Sequence, residues 1–154
     1  MAEQQNDTPT DPSALAAATA GAMWARDRTA QALGMRLVKI DAGHATLAMT
    51  VRSDMVNGHH ICHGGMIFTL ADTAFAYACN SYNQNTVASA ANIDFLAPAR
   101  EGETLEAEAI ERSAAGRTGV YDVSVRTADG RTVALFRGKS ARISGQVIDG
   151  LKEA

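Results

Sequence analysis

The chain has 154 residues, 46% of them hydrophobic, and a formal net charge of -3. That length fits one domain with a core of its own, and the composition favours a globular fold over disorder. Lys and Arg do not cluster, so nucleic acid is not an expected partner, and no apolar run approaches the about 20 residues that a membrane-spanning helix needs.

Two cysteines, Cys62 and Cys79, are too few for a disulfide scaffold. Both are read as reduced thiols of a cytoplasmic protein. The Ala-rich stretch 14–25 is preceded by Asp7 and Asp11 and by no Lys or Arg, which is wrong for a secretory signal.

Residues 1–10 are polar and aperiodic and read as a disordered tail. Asp11 and Pro12 then mark a helix start, an N-cap acceptor followed by a proline at the first helical position. That helix is expected to run to about Leu33 and stop at Gly34. Leu15, Met23, Trp24 and Leu33 would form its apolar face. Residues 35–41 and 44–52 alternate in polarity around Gly43 and predict a hairpin. A loop over 53–63 leads to Gly64-Gly65.

Residues 66–82 predict a helix. From Met66 to Cys79 its only polar residues are Thr69, Asp72 and Thr73, so it reads as buried on every face. Strands are expected over 86–97, 104–114, 119–127 and 131–143. Pro98, Gly102, Gly116 and Asp129-Gly130 mark the turns between them. The simplest architecture for this order is α+β, an antiparallel sheet wrapped around one central helix. The domain is expected to span 11–145, with a C-terminal tail over 146–154. No repeat or linker divides it.

The chemistry concentrates where the central helix begins. Gly64 and Gly65 let another group approach the backbone closely. The first N–H groups of a helix have no internal partner, and the dipole makes that end positive. Such an end binds anions and can hold a developing oxyanion. A Gly-Gly pair alone is more often a plain loop-to-helix turn. Asp72, about two turns on, makes the difference. A buried carboxylate without a partner costs several kcal/mol, roughly, so it is rare without a reason. Thr69 and Thr73 share its stripe, which suggests a helix lining a cavity. The structural alternative is an aspartate bonded to a strand end.

Eight residues at about 1.5 Å each separate Gly64 from Asp72 by roughly 12 Å along the axis. One carbonyl cannot touch both on the same helix. Two antiparallel copies related by a two-fold axis would bring Gly64 of one beside Asp72 of the other, so the site would require a homodimer. His59, His60, Cys62 and His63 match no zinc spacing, and neither a metal nor a Cys–His nucleophile pair is expected.

Asn57, Cys62-His63-Gly64-Gly65, Leu70-Ala71-Asp72 and Asn92-Ile93-Asp94-Phe95-Leu96-Ala97-Pro98 resemble the hotdog-fold thioesterases. With 118–122 and 133–140 they are most similar to the branch from bacterial phenylacetic acid degradation, the PaaI type. The resemblance covers about residues 15–145. It implies a hotdog fold and a dimer often paired into a homotetramer. It also implies an acyl-CoA thioesterase, a hydrolase acting on aryl-acyl-CoA such as phenylacetyl-CoA or a ring-hydroxylated relative, with no cofactor. On that resemblance the Gly64 N–H polarises the thioester carbonyl and Asn57 and His63 position the carbonyl or the water. Asp72 is general base or nucleophile. Ser89, or less well Thr86, holds the water. Gly65, Thr69 and Thr73 are the remaining candidates for substrate contact. The rival readings are a hotdog hydratase or dehydratase and a non-catalytic acyl-CoA binding protein. The dehydratase His-Phe-Pro-Gly pattern is absent. Arg112, Arg117, Arg137 and Lys139 read as scattered surface charges.

Overall fold

The computed structural model describes residues 11–152, so the expected tail over 1–10 lies outside the described residues. The chain begins with helix α1 (Pro12–Trp24), capped as the sequence predicts: the Asp11 carboxylate accepts from the Ala14 N–H at 3.2 Å and Pro12 opens the helix. The single helix expected as far as Leu33 is in fact two. It breaks at Ala25 and restarts as α2 (Arg28–Ala32). The cause is Asp27. Its Oδ1 accepts from the Ala30 N–H at 3.0 Å, a second N-cap, while its Oδ2 accepts from the Tyr77 hydroxyl at 3.3 Å. A side chain that caps a new helix draws its own backbone out of the old one. Leu15 is buried, and Met23, Trp24 and Leu33 pack partly buried against the core.

Strands β1 (Arg36–Asp41) and β2 (His44–Thr50) form the expected hairpin, with Gly43 at φ 68° in the turn. A short 3-10 turn (Ser53–Met55) and a loop lead into α3 (Gly64–Asn80). Four further strands complete the fold, β3 (Thr86–Phe95), β4 (Thr104–Ala115), β5 (Thr118–Thr127) and β6 (Thr132–Arg142). All pairings are antiparallel, in one six-stranded sheet of order β1-β2-β4-β5-β6-β3. This is the hotdog arrangement. Odd residues of β5 (Tyr121, Val123, Val125) are buried towards α3, and even ones (Asp122, Ser124, Arg126) face outward.

Leu70, Phe75 and Tyr77 of α3 lie in the core with Leu47, Met49 and Leu105. Gly138 makes room for the helix, because a Cβ there would lie 2.9 Å from the Phe75 ring. Phe75 also packs edge-on against Tyr121, with ring centroids 5.5 Å apart.

The central helix also departs from expectation, because it does not bury every face. Gly65 is exposed and Met66, Thr69, Asp72, Thr73 and Ala76 are only part-buried, because the sheet covers one side of α3 and leaves this stripe open. Strand β3 lies at the sheet edge, paired to β6 alone, and exposes Val87, Phe95 and the adjoining Leu96. Its register shifts between Ala88 and Ala90, which places Ser89 in a bulge. Residues 146–152 are tied back to the domain: Asn83 donates to the Ile148 and Leu151 carbonyls at 2.8 and 2.9 Å and accepts from the Ile148 N–H at 2.8 Å. No helix among the described residues is long and apolar enough to cross a membrane.

Candidate active site

The loop before α3 is built around Asn57. Its side-chain oxygen accepts from the His59 N–H at 2.9 Å and the Ile61 N–H at 3.4 Å, and its backbone N–H donates to the Ile61 carbonyl at 2.9 Å. This closes a tight turn of the kind asparagine favours, with His60 at φ 60°. The next two residues are pinned from both sides. The Cys62 N–H donates to the Ala99 carbonyl and the His63 N–H to the Met55 carbonyl, each at 2.7 Å. His63 then caps α3: its Nδ1 accepts from the Gly65 N–H at 3.0 Å, which places the ring proton on Nε2 when the imidazole is neutral.

These contacts leave the Gly64 N–H. Among the described residues it has no acceptor, and it points from the positive end of a helix of 17 residues. A cavity of about 540 Å³ opens there. Asn57, Cys62, Gly64, Phe95, Leu96 and Pro98 are among the residues that line it. The structure thus brings Asn57 and Gly64 together at one cavity, with His63 fixing the helix start beside them.

Asp72 is part-buried, and among the described residues its carboxylate has no hydrogen bond or ion pair. Burial therefore raises its pKa above the ordinary aspartate value of 3.8. The alternative of an aspartate bonded to a strand end does not hold within the protomer. Thr69 donates to the Gly65 carbonyl at 2.8 Å and Thr73 to the Thr69 carbonyl at 2.7 Å, so both hydroxyl protons are spent on the helix backbone. Their oxygens can still accept. Asp72, Thr69 and Thr73 do not line the cavity at Gly64.

Ser89 is exposed in the β3 bulge and donates to the Lys139 carbonyl at 3.1 Å. Thr86 is buried: its hydroxyl donates to the Gln84 carbonyl at 2.8 Å and its N–H to the Asn80 side chain at 2.9 Å, a purely structural setting. Cys62 is buried too, and burial pushes its thiol above the ordinary value, which keeps it protonated and a poor nucleophile. His59 and His60 are exposed, and among the described residues no three His, Cys, Asp or Glu side chains converge as metal ligands.

Sequence reasoning missed two things. Arg112 and Arg137 are not scattered: both bind Asp122, at 2.9 and 2.6 Å, and the Arg137 bond, helped by Arg112, holds that carboxyl below the usual range. They lie beside a second cavity, about 520 Å³, away from Gly64. The second omission is Phe95. It was legible as part of a motif, but its place over Gly64 depends on which strand forms the sheet edge.

Comparison with known proteins fits this geometry. Residues 59–134 match the family model of the thioesterase superfamily. The chain is 52% identical over 128 residues to the acyl-coenzyme A thioesterase PaaI of Escherichia coli (strain K12), covering 83% of this chain and 91% of that protein. A putative esterase of Archaeoglobus fulgidus is 34% identical, with 79% of each chain covered. The structure of the E. coli PaaI protein from the phenylacetic acid degradation operon superposes with TM-score 0.87 at 51% identity, over 88% of this chain and 99% of that one. A variant of the phenylacetic acid degradation protein PaaI from Thermus thermophilus gives TM-score 0.73 at 37% identity, over 76% and 100%. The chain belongs to the hotdog-fold acyl-CoA thioesterases of the phenylacetic acid degradation (PaaI) type.

Proposed function

We propose that the protein hydrolyses aryl-acyl-CoA, phenylacetyl-CoA or a ring-hydroxylated relative, to the free acid and CoA. The observation that carries this reading is the pairing of two unsatisfied groups on one helix. Among the described residues the Gly64 N–H, which opens onto an apolar cavity, has no acceptor, and Asp72 is a part-buried carboxylate with no donor. A thioester is already activated. Its hydrolysis needs charge stabilisation at the carbonyl oxygen and a nucleophile at neutral pH.

The Gly64 N–H receives the oxyanion, with Asn57 and His63 holding the helix start in place. Asp72 acts by one of two balanced routes. As a base it takes a proton from water while the water oxygen attacks the carbonyl carbon. As a nucleophile its own oxygen attacks, giving a mixed anhydride that water then cleaves. In both, the carbon–sulfur bond breaks and CoA leaves as the thiolate. Ser89 holds the water, and Gly65, Thr69 and Thr73 border the substrate.

About 12 Å of helix separates Gly64 from Asp72. The site is therefore composite. The open stripe of α3 and the unpaired edge of β3 meet the same surfaces of a second copy, which sets the partner's Asp72 against Gly64. The working unit is a homodimer, paired again into a homotetramer, and residues 11–145 form its catalytic domain in the cytoplasm. Thiol release from a panel of short, long and aromatic acyl-CoAs tests the function. Release fastest from the aryl substrates is expected, and no release from any of them at micromolar enzyme overturns it.

A further inference from the structure

Phe95, at the end of edge strand β3, is 53% exposed, beside Leu96 at 57%. The tip of its ring abuts Gly64, where an added Cβ would lie 3.1 Å from Cζ and 3.3 Å from Cε1. The ring therefore stands directly beside Gly64. Among the described residues it is also the one aromatic side chain lining that cavity, whose other apolar walls, such as Ile61, Ile67, Leu96 and Pro98, are aliphatic.

We propose that Phe95 is the specificity-determining residue of this site. Its ring is the wall on which an aromatic acyl group packs while the thioester carbonyl meets Gly64. This rests on the hydrolysis proposed above and adds the residue that selects the ring. Aliphatic walls bury a phenyl ring and an alkyl chain of similar area about equally well, because burial is non-directional. A ring pair adds a term that an alkyl chain cannot gain, equivalent to about 2–10-fold in binding. Gly64 and Phe95 are linked sterically: any side chain at 64 pushes the ring aside.

The test is the ratio of kcat/KM for phenylacetyl-CoA over hexanoyl-CoA. Phe95→Leu keeps an apolar side chain and removes the ring, and is expected to lower the ratio about 2–10-fold. Phe95→Tyr should restore it. Leu96→Ala, which strips apolar contact from the same cavity without removing a ring, should slow both substrates and leave the ratio near that of the parent. A parent-like ratio in Phe95→Leu, or an equal shift in Leu96→Ala, overturns the proposal. Non-hydrolysable phenethyl and hexyl thioethers of CoA, titrated calorimetrically, give the same ratio without turnover. If no acyl-CoA is cleaved, the proposed hydrolysis fails, and the thioether ratio alone then decides the role of Phe95: a drop in Phe95→Leu supports it, and an unchanged ratio or no binding overturns it.

Discussion

The two ends of α3 differ in almost every respect. At the C-terminal end the polar groups are buried and paired. Asn80 donates to the Ala76 and Thr86 carbonyls and accepts from the Thr86 N–H, each at 2.9 Å. Ser81 donates to the Ala78 carbonyl at 2.7 Å and accepts from the Gly43 N–H at 2.8 Å. At the N-terminal end two glycines replace side chains, and the Gly64 N–H faces a cavity with no acceptor among the described residues. One end fastens the helix to the sheet. The other is left unsatisfied, as a site must be if its partner is a transient charge.

The largest effect is expected at Asp72. Asp72→Asn keeps the shape and removes the charge, and should lower kcat by about 10²–10⁴. In the parent, kcat should rise with pH through an ionisation above 3.8, since burial raises this group. That rising limb should be absent from the variant. Stability should move the opposite way. A raised carboxylate pKa means that ionising the folded state costs more than ionising the unfolded one, so stability falls as pH rises through the folded pKa. Asp72→Asn removes that loss. Its Tm should match or exceed the parent's at neutral pH, and the difference should vanish as the pH drops below 3.8. A drop in Tm at neutral pH would show that the carboxylate has a structural partner.

Gly64→Val comes next. The new side chain displaces Phe95 and blocks the approach to the N–H. The expected loss is about 10²–10³ in kcat, the scale of one oxyanion donor. The fold should survive, because the ring that must move is exposed. Circular dichroism beside the thiol assay separates the two outcomes.

At the other end of the helix the effect should be on stability and not on chemistry. Asn80→Ala leaves the Thr86 N–H and carbonyl without their partner, and should cost about 1–3 kcal/mol by denaturant titration. The kcat of the folded fraction should stay near that of the parent. Asp11→Ala, at a cap remote from both ends, should cost about 1 kcal/mol and leave thiol release unchanged. Activity losses in these two variants that match Asp72→Asn would erase the contrast between the ends.

Much of this contrast was legible in the sequence. Gly64-Gly65 and the lone Asp72 stood out against an apolar helix, and the alternation over 35–41 and 44–52 announced the first hairpin. What could not be read depended on distant partners. The break after Trp24 has no glycine or proline to announce it; Asp27 makes it with help from Tyr77, fifty residues on. Arg137 meets Asp122 because the β5–β6 register sets them opposite. The open stripe of α3 follows from the sheet covering only one side of the helix, and the exposure of Phe95 from β3 lying at the edge, neither of which local pattern reveals.

The central claim is that one site is built from two subunits. Its most direct test is subunit mixing. Gly64→Val and Asp72→Asn, co-expressed with different tags, form mixed dimers in which one site carries both substitutions and the other carries neither. Each variant alone should be nearly inactive. Random mixing should restore about a quarter of the parent's thiol release, since about half the dimers are mixed and each has one intact site. Activity no higher than that of the two variants measured apart would mean that no site combines Gly64 of one subunit with Asp72 of the other, and would contradict the account.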